Sequence, residues 1–277
     1  MTAFFTTADG LRLAYDDHGT GPVLLCLPGL TRNMEDFDPV VAEFAGRARV
    51  IRMDFRGRGA SDYGDPATYA VPQEAADVVA LLDHLGLERA AILGTSRGGL
   101  VAMVLAAMAR DRLSGVILND VGPVVSPEGL ANIMDYIGRL PKQKTLAEVA
   151  AALPVFYGAT FHNVPDATWA AMAARLYRET PDGLALRYDP RLRDAVAAVF
   201  APDAPVPDLW PLFDAFAGLP LALIRGAGSD ILSAETAAEM RRRRPDMLFV
   251  ELPDRGHVPF LDEPPVVALI AEFLERL

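Results

Sequence analysis

The sequence predicts an α/β fold, with a mostly parallel central sheet, helices on both of its faces and a helical insertion. Three observations predict it. Short runs that are apolar throughout, at residues 23–27, 91–93 and 116–118, alternate with helical stretches. Strands buried on both faces and separated by helices are the signature of a parallel sheet covered on both sides. From about Pro123 to Leu219 the β-like runs give way to Ala-rich helical segments separated by prolines, and the alternation then resumes.

The elements follow in order. Residues 11–15 read as a strand, and the apolar run 23–27 ends at Pro28-Gly29. Residues 50–53 form another run, ending at Asp54. Residues 73–85 carry Ala76, Val79, Ala80, Leu82 and Leu85 at helical spacing. The strand 91–93 leads through a glycine-rich turn into a strongly apolar helix at 100–108. The strand 116–118 ends at Asn119-Asp120. Within the changed region, 146–153, 168–178 and 192–199 read as helices. Strands at 219–224 and 247–252 and a helix at 266–277 complete the chain. The predicted division is a core of 1–122 and 220–277 with an inserted unit at 123–219. An interruption of about 90 residues exceeds ordinary connecting loops.

The 277 residues are enough for one large domain with its own core. Composition is 51% hydrophobic and 23% charged, which excludes a disordered chain. Net charge is -11, from 26 Lys and Arg against 37 Asp and Glu. That argues against nucleic acid and against an anionic membrane as partners. The single cysteine, Cys26, sits in an apolar run; it cannot form an intrachain disulfide or a Cys-rich zinc site. The N-terminal residues lack the basic and apolar segments of a secretory signal, and the longest apolar stretch, 99–109, is too short to span a bilayer. The expectation is a soluble cytoplasmic protein that acts on a small molecule. A homo-oligomer is compatible with this reading.

The most informative segment is Gly94-Thr95-Ser96-Arg97-Gly98-Gly99. It matches G-x-S-x-G, between a predicted strand and a predicted helix. A serine on such a tight turn projects its hydroxyl above the sheet, and the following helix N-terminus favours developing negative charge. A serine hydroxyl needs a general base within reach. Of four histidines, His257 lies on the loop after the last predicted strand, a loop that would return to the top of the sheet. His18, His84 and His162 read as structural or solvated. Two aspartates, Asp120 and Asp230, each follow a predicted strand, and either can hold the imidazole.

Five stretches together resemble the α/β-hydrolase superfamily over almost the whole chain. They are His18-Gly19-Thr20-Gly21, Leu27-Pro28-Gly29-Leu30, Asp54-Phe55-Arg56-Gly57-Arg58-Gly59-Ala60-Ser61, the Ser96 turn, and Asp254-Arg255-Gly256-His257. The likeness is to the capped subgroup of esterases, oxoadipate enol-lactonases, C–C bond hydrolases, perhydrolases and dehalogenases. The resemblance implies that 123–219 is a cap and that no metal or organic cofactor is used. It also implies Ser96 as nucleophile, since dehalogenases and epoxide hydrolases resembling this chain would carry Asp there. It favours Asp230 over Asp120 as the acid. Its oxyanion donors carry over to the backbone N–H groups of Leu30 and Arg97, although Pro28-Gly29 stands where the family usually has His-Gly.

The resulting expectation is a serine hydrolase cleaving a small or medium carboxylic ester or lactone. A C–C bond hydrolase for ring-cleavage diketones and a ligand receptor on the same fold are the alternatives. The Arg97 side chain is read as a structural ion pair, with a substrate carboxylate as its rival partner. Asp54 and Arg56 are expected to brace loops beneath the site, and Arg241 to Arg244 to form a solvated helix end. The aromatics of the insertion, Trp169, Tyr157 and Phe161 among them, are expected to pack it onto the core and to line an apolar cleft.

Overall fold

The computed structural model describes residues 1–199 and 208–277. Residues 200–207, part of the predicted insertion, lie outside the described residues. In chain order the strands are β1 (Ala3–Thr6), β2 (Arg12–His18), β3 (Val23–Leu27), β4 (Arg49–Met53), β5 (Ala90–Thr95), β6 (Leu113–Asn119), β7 (Tyr177–Thr180), β8 (Gly183–Leu186), β9 (Leu221–Gly226) and β10 (Leu248–Leu252). The α-helices are α1 (Asp38–Phe44), α2 (Val71–His84), α3 (Arg97–Met108), α4 (Pro127–Tyr136), α5 (Leu146–Tyr157), α6 (Asp166–Leu176), α7 (Leu192–Val199), α8 (Trp210–Asp214), α9 (Ala234–Arg243) and α10 (Pro264–Leu274).

Eight strands form one sheet in the order β1-β2-β4-β3-β5-β6-β9-β10. Strands β1 and β2 run antiparallel to their neighbours, and every pairing from β4 to β10 is parallel. The period of two in β3 divides the core. Leu25 and Leu27 face a cluster that includes Ile92 and Leu118 and takes in α2 and α3. Leu24 and Cys26 face the opposite cluster with Phe44 of α1 and Ile270 and Phe273 of α10. All of β5 is buried, as a strand covered on both faces must be.

Three features depart from the sequence expectation. The short β1 and α1 carry too few residues to show a period. The insertion contains a hairpin, β7–β8, where only helices were expected. Its signal is the Thr180-Pro181-Asp182-Gly183 turn, with Gly183 at φ +113°, and it was masked by the helical spacing of the residues before it. Helix α8 packs on the main core: Phe213 and the following Phe216 enter it beside α3.

The insertion has its own small core of Leu153, Phe161, Trp169, Ala173 and Leu184. Backbone hydrogen bonds tie it to the loop after β4: Gly59 N–H donates to Arg187 O at 2.8 Å, and Asp189 N–H to Gly57 O at 2.7 Å. Arg187 forks onto Glu35 at 2.5 and 2.6 Å. Among the described residues, no helix is long and apolar enough to cross a membrane.

Candidate active site

Ser96 follows β5 at the carboxyl edge of the sheet, the edge at which open α/β sheets place their sites. Its backbone is at φ +51°, ψ -113°, outside the regions ordinary L-residues occupy. Such strain persists only where the surroundings impose it. Here they do: a Cβ on Gly94 would lie 2.6 Å from the Gly98 carbonyl, and one on Gly98 would run into Leu27 O. Ser96 N–H donates to Asn119 O at 2.9 Å, which fixes the turn to the end of β6. Helix α3 starts at the next residue and directs its N-terminus at the Ser96 side chain's surroundings.

Asp120 is the first residue past β6. It is buried, in the left-handed region at φ +58°, a conformation Asp tolerates better than most residues. Its N–H donates to Ile224 O at 2.8 Å, and its Oδ1 accepts from Gly226 N–H at 2.9 Å. Its Oδ2 lies 2.7 Å from His257 Nδ1, and His257 Nε2 lies 2.9 Å from Ser96 Oγ. An ionised carboxylate can only accept, so the Nδ1 proton points at Asp120. Nε2 is then the acceptor facing the serine hydroxyl.

The loop bearing His257 is held from both sides. A Cβ on Gly226 would come within 2.7 Å of Arg255 O, and one on Gly256 within 2.8 Å of the Thr160 Cβ. Arg255 Nε donates to Glu263 at 2.6 Å, and Glu263 also accepts from the N–H groups of Phe260 and Leu261. A buried carboxylate thus staples both ends of the loop.

Asp230, the acid favoured by the sequence, is not the histidine's partner. It is exposed, and its Oδ2 accepts from Asn132 Nδ2 of α4 at 2.8 Å. Strand β6 lies between β5 and β9, so Asp120 is one strand from Ser96, whereas Asp230 lies beyond the end of the farther strand. The end of β9 meets the relay through Gly226 N–H instead. The sequence signal for Asp120 was a small polar residue, able to turn left-handed, ending a buried strand.

Leu30 and Ser96 line one cavity of about 120 Å³, together with His257. Among the described residues, neither Leu30 N–H nor Arg97 N–H donates to a protein acceptor. The Arg97 side chain turns away, to Glu74 Oε2 at 2.6 Å and Tyr69 O at 2.8 Å. Arg58 joins the same buried Glu74 at 2.9 Å and donates from Nε to Leu30 O at 3.0 Å. Asp54 takes the N–H groups of Met34 and Ala60 at 2.7 and 2.8 Å, bracing two loops as expected. Burial pushes its carboxyl up to about 6. Arg56 is buried against Asp77. Arg244 departs from the solvated helix end that was expected: it is buried and donates to the carbonyls of Phe216 and Leu219.

The cavity walls are largely apolar, with Ile133, Phe161, Trp169, Met172, Leu176 and Phe260 among them. One cation that sequence reasoning passed over, Arg32, also lines it. Among the described residues, no three His, Cys, Asp or Glu side chains gather as a metal site.

Comparison with known proteins agrees with this architecture. The model of the alpha/beta hydrolase family matches residues 24–269. A 3-hydroxybutyrate-oligomer hydrolase of Cupriavidus necator is 36% identical over 275 residues, covering 95% of this chain and 92% of that protein. A 2-(acetamidomethylene)succinate hydrolase of Mesorhizobium japonicum is 27% identical, covering 87% of this chain and 83% of that protein. The crystal structure of an alpha/beta hydrolase from Novosphingobium aromaticivorans superposes with a TM-score of 0.91 at 43% identity, over 100% of this chain and 98% of that one. Fold, edge-of-sheet site and sequence likeness over nearly the full length lead to one conclusion: this chain belongs to the alpha/beta hydrolase family.

Proposed function

We propose that this hydrolase cleaves a small or medium carboxylic ester or lactone through an acyl-enzyme on Ser96, with the inserted elements α4 to α7 and the β7–β8 hairpin acting as a cap over the site. One observation carries the reading: a single relay runs from Ser96 Oγ through His257 to buried Asp120, with separations of 2.9 and 2.7 Å. His257 Nε2 takes the hydroxyl proton as Ser96 attacks the carbonyl. Asp120 holds the imidazole in the tautomer this needs and stabilises the imidazolium. The N–H groups of Leu30 and Arg97 serve as donors to the oxyanion, the second aided by the α3 N-terminus. His257 then protonates the leaving alcohol and activates the water that releases the acid.

The Cupriavidus necator relative, named for 3-hydroxybutyrate oligomers, supports short hydroxyacyl esters as the first substrates to try. A panel of esters, lactones, amides and diketones, run beside fluorophosphonate labelling, tests the reading. Ester or lactone turnover is expected, with Ser96→Ala lowering it by about 10⁴ or more. Fast diketone cleavage with negligible ester turnover would instead make the protein a C–C bond hydrolase. Near wild-type turnover by Ser96→Ala would remove Ser96 from the chemistry.

A further inference from the structure

Arg32 is the residue in this cavity that the ester reading leaves unused. It follows the Pro28-Gly29-Leu30 turn, and Gly29 lies against both its stem and the nucleophile. The Cβ position of Gly29 lies 3.1 Å from Arg32 Cγ and 3.9 Å from Ser96 Cβ. The Arg32 side chain is four-fifths buried. Its Nε and Nη2 fork onto Asp36 at 2.7 and 2.6 Å. A guanidinium has five N–H donors in one plane, and this pair uses one from each of two nitrogens. Among the described residues Nη1 donates to no protein acceptor, and the residue lines the cavity. Tyr136 and Tyr157 belong to the same cavity lining, and their hydroxyls have no protein hydrogen-bond partner among the described residues.

A cation in a largely apolar pocket is costly unless it is paired and its donors are satisfied. Asp36 offsets the cost of burying the Arg32 charge, yet it leaves one guanidinium nitrogen without a protein acceptor among the described residues. The other arginine of the cavity, Arg175, sits on α6, donates from Nη2 to Asp38 at 3.2 Å, and accepts from Asn33 Nδ2 at its backbone carbonyl. Arg97 is consumed by Glu74. Arg32 is thus a cavity cation, packed against the same Gly29 that touches Ser96, with unused hydrogen-bonding capacity.

We infer that Arg32 selects esters or lactones whose acyl or alcohol part carries a free carboxylate a few bonds from the scissile carbonyl, the carboxylate docking on its Nη1 edge with Tyr136 and Tyr157 as further donors. This rests on the ester reading above and narrows its substrate class. It also explains why a cavity of about 120 Å³, suited to a short chain, keeps a guanidinium with a free nitrogen in a largely apolar wall.

The test is a matched pair of activated esters, the 4-nitrophenyl monoester of glutaric acid and its methyl-capped diester. The first keeps the carboxylate, and the second replaces it with a neutral group. Wild type is expected to favour the acid, mainly through KM. Arg32→Gln should lower the acid-to-neutral ratio of kcat/KM by about 10- to 100-fold, the range of a charge-assisted hydrogen bond. Glutarate should protect wild type against thermal unfolding and protect Arg32→Gln much less, a readout that needs no turnover. Asp36→Asn, which releases the guanidinium, should hold or raise the ratio. An unchanged ratio in Arg32→Gln would overturn the inference, as would wild type failing to distinguish the two esters. Failure of the ester reading would look different, with neither ester turned over and Ser96 unlabelled by fluorophosphonate. Should Arg32→Gln fail to fold, absence of glutarate protection and of acid preference in wild type and Asp36→Asn would equally overturn it.

Discussion

Asp120 Oδ2 and His257 Nδ1 lie 2.7 Å apart, although 137 residues separate them in the chain. The contact is made possible by two left-handed or glycine positions. Asp120 turns at φ +58°, and Gly226 lets the histidine loop pass against the end of β9. The carboxylate is anchored twice more, by its own N–H to Ile224 O and by Gly226 N–H to its Oδ1.

This geometry separates the two aspartates experimentally. Asp120→Asn is expected to lower kcat by about 10⁴, because an amide favours the wrong imidazole tautomer, with a much smaller change in KM. Asp230→Asn should stay close to wild type, since among the described residues that carboxylate bonds the exposed Asn132 side chain and not His257. Fluorophosphonate labelling should slow in the first variant and not in the second. The reverse pattern would return the role to Asp230.

The turn that presents Ser96 makes a stability prediction. A methyl on Gly98 would meet the Leu27 carbonyl carbon at 2.7 Å, and its neighbours are backbone atoms of a buried strand that cannot yield. Gly98→Ala should destabilise the protein by about 1–3 kcal/mol or more. A urea melt at wild-type midpoint would show that the turn is looser than described.

How much of this was legible beforehand follows from what each signal depends on. The buried strands, the Ser96 turn and His257 declare themselves locally, through apolar runs, glycines and chain order. The pairing of His257 with Asp120 does not, because it depends on β6 lying between β5 and β9, a fact of sheet order. Residues Asp120 and Asp230 both end strands, and only the order tells which one faces the loop. Arg32 was illegible for a similar reason. Nothing in Leu30-Thr31-Arg32-Asn33 marks it as a cavity residue until the insertion closes over it.

Asp54 gives a pH dependence with a definite sign. Burial outweighs two backbone hydrogen bonds and lifts its carboxyl from 3.8 to about 6. Between those values the folded protein holds a proton that the unfolded chain has released. Stability therefore falls as pH rises through that window. From about pH 5.5 to about pH 7.5 the loss from this group should be about 1 kcal/mol. Asp54→Asn cannot titrate, so the stability difference between wild type and variant should shift by that amount in urea melts at the two pH values. A constant difference would mean Asp54 titrates normally.

Glu74 joins the two residues proposed to supply the oxyanion donors. It is wholly buried, with Arg97 on one oxygen at 2.6 Å and Arg58 on the other at 2.9 Å. Arg58 in turn holds Leu30 O at 3.0 Å. Burial alone would raise the Glu74 carboxyl, but the two guanidiniums outweigh it and keep it below its ordinary value. Burial draws Arg58 down to about 10 even so. Removing the carboxylate charge strands two cations, one with no exposed surface. Glu74→Gln should therefore cost about 3–5 kcal/mol of stability. If it also lets the Leu30 and Arg97 backbones drift, kcat should fall by as much as about 10²-fold, the penalty for misplacement on the scale of 1 Å. Asp77→Asn provides the comparison, because Asp77 is nearly as buried but pairs with Arg56. It should lose stability without a matching loss of kcat. Equal effects on kcat from the two variants, measured well below both melting points, would show that Glu74 holds up the fold and nothing more.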